Sequence, residues 1–159
     1  MTLAVVGIGE PLAGDDGVAF RVIERLRERR LSRPVTLRAL RDPSGLWELL
    51  GSSAAPAGKP IVRVLLVDAV LDPAHEGRVR LLGPAAFARD DSRPISSHGI
   101  SALTAVELAR AVHGEGFPEL QFLAVSIGPP TRFEPRLSES AARAVEVATE
   151  RAVCWIDGQ

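Results

Sequence analysis

The sequence predicts an α/β fold: a three-layer sandwich whose twisted, mostly parallel sheet of about five strands is flanked by helices. Three observations carry that expectation. Apolar runs rich in Val, Ile and Leu recur at residues 3–8, 62–70 and 120–127, continuous as in strands buried on both faces. Between them lie stretches whose apolar residues recur at helical spacing. No internal repeat or linker divides the 159 residues, so one domain over 1–159 is expected.

Residues 3–8 enter Gly7-Ile8-Gly9-Glu10-Pro11, a turn-rich loop that reaches Gly14-Asp15-Asp16-Gly17. From there Val18, Ala19, Val22, Ile23 and Leu26 trace one apolar stripe, with Arg21, Glu24, Arg25 and Glu28 opposite it. Arg29 and Arg30 fall in the last turn, where cations suit the helix dipole. Residues 35–40 read as a second, shorter strand, 45–50 as a short helix and 51–58 as a flexible loop. The strongest strand signal is 62–70, interrupted only by Arg63 and Asp68. Residues 77–82 alternate Arg78, Val79, Arg80 and Leu81, as a protected edge strand does. A helix over 101–112 offers Leu103, Val106 and Ala109 to Ala111 for burial. The strand over 120–127 ends in Gly128-Pro129-Pro130, and a helix over 137–153, with Ser138 as N-cap, closes the chain.

Composition narrows the function classes. A net charge of −1 asks for neither nucleic acid nor an anionic membrane, and the arginines are scattered. Aromatics at 4%, with no Tyr, offer no stacking platform for bases. A single cysteine, Cys154, excludes an internal disulfide, a four-thiolate zinc site and a CxxC motif; it reads as buried packing. No basic leader precedes the first strand and no apolar run is long enough for a bilayer, so the cytoplasm is the expected compartment. His75, in a turn, and His113, at a helix end, read as solvated.

In parallel sheets ligands sit beyond the carboxyl ends of the strands, and the candidate residues gather there. Gly7-Ile8-Gly9 is half a dinucleotide fingerprint, but Leu12 stands where the third glycine belongs, and no phosphate-binding GxxxxGK[ST] exists. Asp15 and Asp16 mark the start of the first helix, where one can cap and the other remains free as a ligand. Asp68 ends an apolar strand, where an unpaired carboxylate is costly to bury. His98, in the polar loop Ser96-Ser97-His98-Gly99-Ile100 before a helix, is placed at the same sheet edge. Two carboxylates and one imidazole suit Ni²⁺, Zn²⁺, Fe²⁺ or Mn²⁺ without choosing among them, and leave a position open for substrate or water. A Ser97–His98–Asp68 triad is disfavoured, because adjacent residues rarely aim their side chains at each other.

These segments resemble the hydrogenase maturation proteases, which process the large subunit of nickel-iron hydrogenases. Residues 5–18, from Val5-Val6-Gly7-Ile8-Gly9 through Asp15-Asp16-Gly17-Val18, are similar to the family's opening motif. Val67-Asp68-Ala69-Val70 and Ser97-His98-Gly99 resemble the second and third, and Val125-Ser126-Ile127-Gly128-Pro129 with Leu137-Ser138 the C-terminal pattern. The resemblance implies that Asp16, Asp68 and His98 are metal ligands and the active site of an aspartic-type endopeptidase. It implies nickel as the metal, supplied by the substrate or resident. The implied partner is a hydrogenase large-subunit precursor, whose C-terminal extension is removed once nickel is inserted.

Two departures stand out. Glu10 occupies a position where the family usually has Asn. Arg41-Asp42-Pro43-Ser44-Gly45-Leu46 replaces a loop that normally reads Asp-Gly-Gly-Thr, one residue longer. Asp42 matches the Asp of that loop and is the candidate for choosing the partner subunit. Two other readings of the chain are a non-catalytic factor that binds nickel or the precursor, and a small-substrate hydrolase on a related sheet.

Overall fold

A computed structural model describes residues 2–51, 59–90, 93–94, 101–130 and 133–159. Its sheet is built from β1 (Thr2–Ile8), β2 (Val35–Leu40), β3 (Ile61–Leu71), β4 (Val79–Leu82), β5 (Arg93–Pro94) and β6 (Glu119–Ile127). The strand order is β2-β1-β3-β6-β4, with the two-residue β5 pairing with β3 off this path. Neighbours along β2-β1-β3-β6 are parallel; β4 runs antiparallel to β6 at the edge, and β5 antiparallel to β3. The helices are α1 (Val18–Arg27), α2 (Leu46–Leu50), α3 (Pro84–Ala88), α4 (Ala102–His113) and α5 (Glu139–Asp157). The expected α/β sandwich is therefore present, with two small elements, α3 and β5, that lack a periodic signal of their own. Among the described residues no helix is long and apolar enough to cross a membrane.

Strand alternation divides the core in two. Leu3, Val5, Leu65, Val67, Leu123 and Val125 face α1 and α5. Ala4, Val6, Val64, Leu66, Phe122 and Ala124 face the other side, where α2, α4 and Phe87 of α3 cover them. The Phe87 ring stacks on Phe122 with centroids 4.1 Å apart. The apolar stripe of α1 is buried as its spacing requires, through Val18, Ala19, Val22, Ile23 and Leu26. Gly7 lets that helix settle on the sheet: a Cβ there would stand 2.7 Å from the Ala19 carbonyl oxygen.

Three expectations need correction. The first helix ends at Arg27, before Arg29 and Arg30, and the last begins at Glu139 and continues to Asp157. Cys154, on that extended helix, is exposed rather than buried. In α4 the buried residues are Ala102, Ala105, Val106 and Ala109, while Ala111 is exposed and Leu103 half-buried, because only one stripe of the helix meets the sheet. Of the loop expected over 51–58, only Gly51 lies among the described residues.

Candidate active site

Two acidic side chains are buried where β1 ends beside β3. Asp68 is 3% exposed and Asp16 4%. Asp68 does not end its strand, as expected from the sequence, because β3 continues to Leu71. It pairs in register with Ile8, the last residue of β1, so it stands where the β1 side of the ladder stops. Its neighbours in alternation, Leu66 and Val70, belong to the core beneath α2 and α4.

Asp16 reaches this place from a single 3₁₀ turn, Gly14–Gly17, that separates β1 from α1. The turn folds back on the preceding loop. The Glu10 backbone N–H donates to Asp16 Oδ2 at 3.1 Å, and Gly9 approaches so closely that a Cβ there would stand 2.1 Å from the Asp16 carbonyl oxygen. The other carboxylate oxygen, Asp16 Oδ1, is buried without a hydrogen-bond partner among the described residues.

The expectation that one of Asp15 and Asp16 caps the first helix is not met. Gly17 stands at the N-cap of α1 and no side chain caps it. Asp15 instead accepts from the backbone N–H and the hydroxyl of Ser138, both at 2.7 Å, and Ser138 caps α5 by accepting from the Ala141 N–H. Both oxygens of Asp15 are thereby taken by Ser138.

Burial sets the electrostatics of the pair. Loss of solvent raises Asp16 from 3.8 to about 6; the Glu10 N–H opposes that shift, and the nearby Glu10 charge adds to it. Asp68 is pushed well above the ordinary carboxylate range, first by burial and then by the charge of Asp16, against the Ala69 N–H. Two desolvated carboxylates that repel each other are expected to retain a proton in the absence of a cation. A divalent cation would discharge both, and Oδ1 of Asp16 is a buried acceptor without a donor. The donor set fits a metal on these grounds.

His98, the third expected ligand, lies outside the described residues, as do Ser96 and Ser97. Among the described residues no group of three His, Cys, Asp or Glu is gathered to hold a metal. His75 is exposed at 54% of its side chain and its Nδ1 meets Asp72 at 3.0 Å; His113 is half-buried. Neither joins the acidic pair.

Asp42 stands outside this centre, exposed, with Oδ1 accepting from the Ser44 N–H at 2.8 Å. It starts the short turn Pro43–Gly45 that leads into α2. Its neighbour Arg41 was not expected to matter. Arg41 Nε and Nη2 reach Glu10 Oε2 and Oε1 at 3.1 and 2.6 Å. The departure at Glu10 was visible in the sequence, but its long-range partner was not.

Beside Asp15 runs a cleft of about 340 Å³ lined by Gly14, Asp15, Pro129, Pro130 and Arg136. The two loops that form it are joined by a bond from the Gly14 N–H to the Glu134 carbonyl at 2.8 Å. Phe133, on the second loop, is 78% exposed.

No family model and no curated protein matches the chain. Solved structures do. The [NiFe] hydrogenase maturation protease HybD from Thermococcus kodakarensis is 20% identical, with 96% of this chain and 97% of that one covered and a TM-score of 0.71. The hydrogenase maturating endopeptidase HybD from E. coli is 22% identical over 99% and 93%, with a TM-score of 0.72. The [NiFe] hydrogenase maturation protease HycI from Thermococcus kodakarensis is 19% identical over 98% and 92%, with a TM-score of 0.67. Over essentially its whole length, the chain has the fold of the hydrogenase maturation proteases.

Proposed function

We propose that this protein is an endopeptidase that removes the C-terminal extension of a nickel-iron hydrogenase large-subunit precursor after nickel insertion. One observation carries the proposal: a pair of buried carboxylates, Asp16 and Asp68, where β1 ends, one of them with an oxygen that has no hydrogen-bond partner among the described residues. A structural role alone leaves that oxygen unexplained, since a buried acceptor without a donor costs about 1–3 kcal/mol. Asp16, Asp68 and His98 would hold the nickel, which serves first as the mark of a loaded precursor. Bound there, the metal supplies Lewis acidity toward a peptide carbonyl.

The chain's own residues account for the proton transfers. One carboxylate of the buried pair accepts a proton from the attacking water. Water adds to the carbonyl carbon, the C–N bond breaks, and the proton passes to the leaving nitrogen. The cleft lined by Gly14, Pro129 and Arg136 can seat an extended segment of the precursor. The test is incubation of the nickel-loaded precursor with wild type, Asp16→Ala and His98→Ala, followed by mass spectrometry of the precursor's C-terminus. Wild type should release the extension, and each variant should be slower by a factor of about 100 or more. Equal processing by all three would overturn the assignment.

A further inference from the structure

We infer that Glu10 and Arg41 form a positioning clamp that couples the loop carrying Asp42 to the carboxylate of Asp16. The inference rests on the reading of Asp16 as a metal-facing group and adds to it a route by which partner recognition reaches the site.

The contacts run through one residue. Glu10 Oε1 accepts from Arg41 Nη2 at 2.6 Å and from the Leu12 N–H at 3.1 Å, and Oε2 accepts from Arg41 Nε at 3.1 Å. The paired guanidinium bonds fix the carboxylate in two directions, as a single-point ammonium contact does not. The backbone N–H of the same residue holds Asp16 Oδ2. With Oδ2 taken, the unpartnered Oδ1 is the oxygen left for a cation. Glu10 therefore decides which oxygen of Asp16 is presented and at what angle.

Arg41 belongs to the segment that would choose the partner. It directly follows β2 and precedes Asp42, whose Asx turn to Ser44 shapes the start of α2. A second strut ties the two segments, from the Gly9 N–H to the Leu40 carbonyl at 3.1 Å. The Glu10 side chain is only 14% exposed, whereas Arg41 is 56% exposed and open to contact from outside. A surface ion pair contributes little to stability by itself. Its placement, one residue from Asp42 and one hydrogen bond from Asp16, gives it a different use. A partner that orders residues 41–45 favours the clamped state and so the presented Oδ1, and by linkage a cation at Asp16 favours the ordered loop.

The test follows backbone amide exchange in the intact protein for wild type, Arg41→Ala and Arg41→Lys, alongside calorimetric titration with Ni²⁺. Removing Arg41 should speed exchange at Glu10 and Leu12 by about fivefold to tenfold and leave Val5 and Val6 unchanged. Where Ni²⁺ binds the free protein, its affinity should fall by about tenfold in Arg41→Ala, in the range seen when a group supporting a metal ligand is lost. Arg41→Lys should recover part of both effects. Unchanged exchange at Glu10 overturns the clamp, and so does acceleration spread evenly through β1 and α1, which marks Arg41 as a stability contact only. Asp16→Ala is the control for the underlying reading. If it leaves Ni²⁺ binding intact, the metal assignment of Asp16 fails, while the exchange data still decide the clamp.

Discussion

At the scale of single residues, the site stands on the contrast between Asp15 and Asp16. They are adjacent and chemically identical, yet Asp15 is satisfied by two donors from Ser138 while Asp16 keeps one oxygen without any donor among the described residues. Asp68 is buried beside the like charge of Asp16, so its ionised form is costly to hold. Replacing it with Asn should therefore stabilise the metal-free protein at neutral pH by about 1–3 kcal/mol while removing the proposed peptidase activity. Thermal unfolding in chelator, beside a processing assay, measures both; a variant less stable than wild type would show that the carboxylate is satisfied in a way the geometry does not reveal.

At the scale of elements, the Gly14–Gly17 turn and the start of α5 behave as one unit. Asp15 reaches across from the turn to Ser138, and the Gly14 N–H reaches back to Glu134. Asp15→Ala should thus cost about 1–2 kcal/mol, chiefly by loosening the first turn of α5. Amide exchange at Ala141 and Ala142 should rise, and α1 should be unaffected because Asp15 does not cap it. Faster exchange in α1 instead would restore the simpler reading of Asp15 as its N-cap. Directly after β3 Asp72 does comparable work, accepting from His75, Arg78 and Ser126. Nothing local in Asp72-Pro73-Ala74-His75 reveals that Ser126, 54 residues away, completes the set.

For the whole molecule, the pair makes stability and pH move in a definite direction. Asp16 has a folded-state value of about 6 against 3.8, and Asp68 is raised further. A raised carboxylate binds its proton more tightly in the folded state, so its contribution is fully present below 3.8 and is lost as pH rises through about 6. In chelator, wild type should lose thermal stability over that window relative to the double variant Asp16→Asn, Asp68→Asn. A divalent cation competes with the same protons, so its affinity should rise across the window and its stabilisation should oppose the loss. A pH-independent difference between the two proteins would show that the carboxylates titrate normally.

The α/β architecture, the strands and the stripe of α1 were legible in the sequence because period and apolar run length are local properties that the sheet simply enforces. That Asp16 and Asp68 lie near one another was legible too, since β1 and β3 are parallel neighbours and Asp16 follows β1 closely. The tertiary structure decided the rest. It continued β3 past Asp68, and it turned Asp15 toward α5 instead of α1. It joined Glu10 to Arg41 across 31 positions, and it left Oδ1 of Asp16 without a donor. These are outcomes of long-range packing, in which the partner of a polar atom is whichever group the fold brings within about 3 Å. No periodicity in one segment encodes that choice.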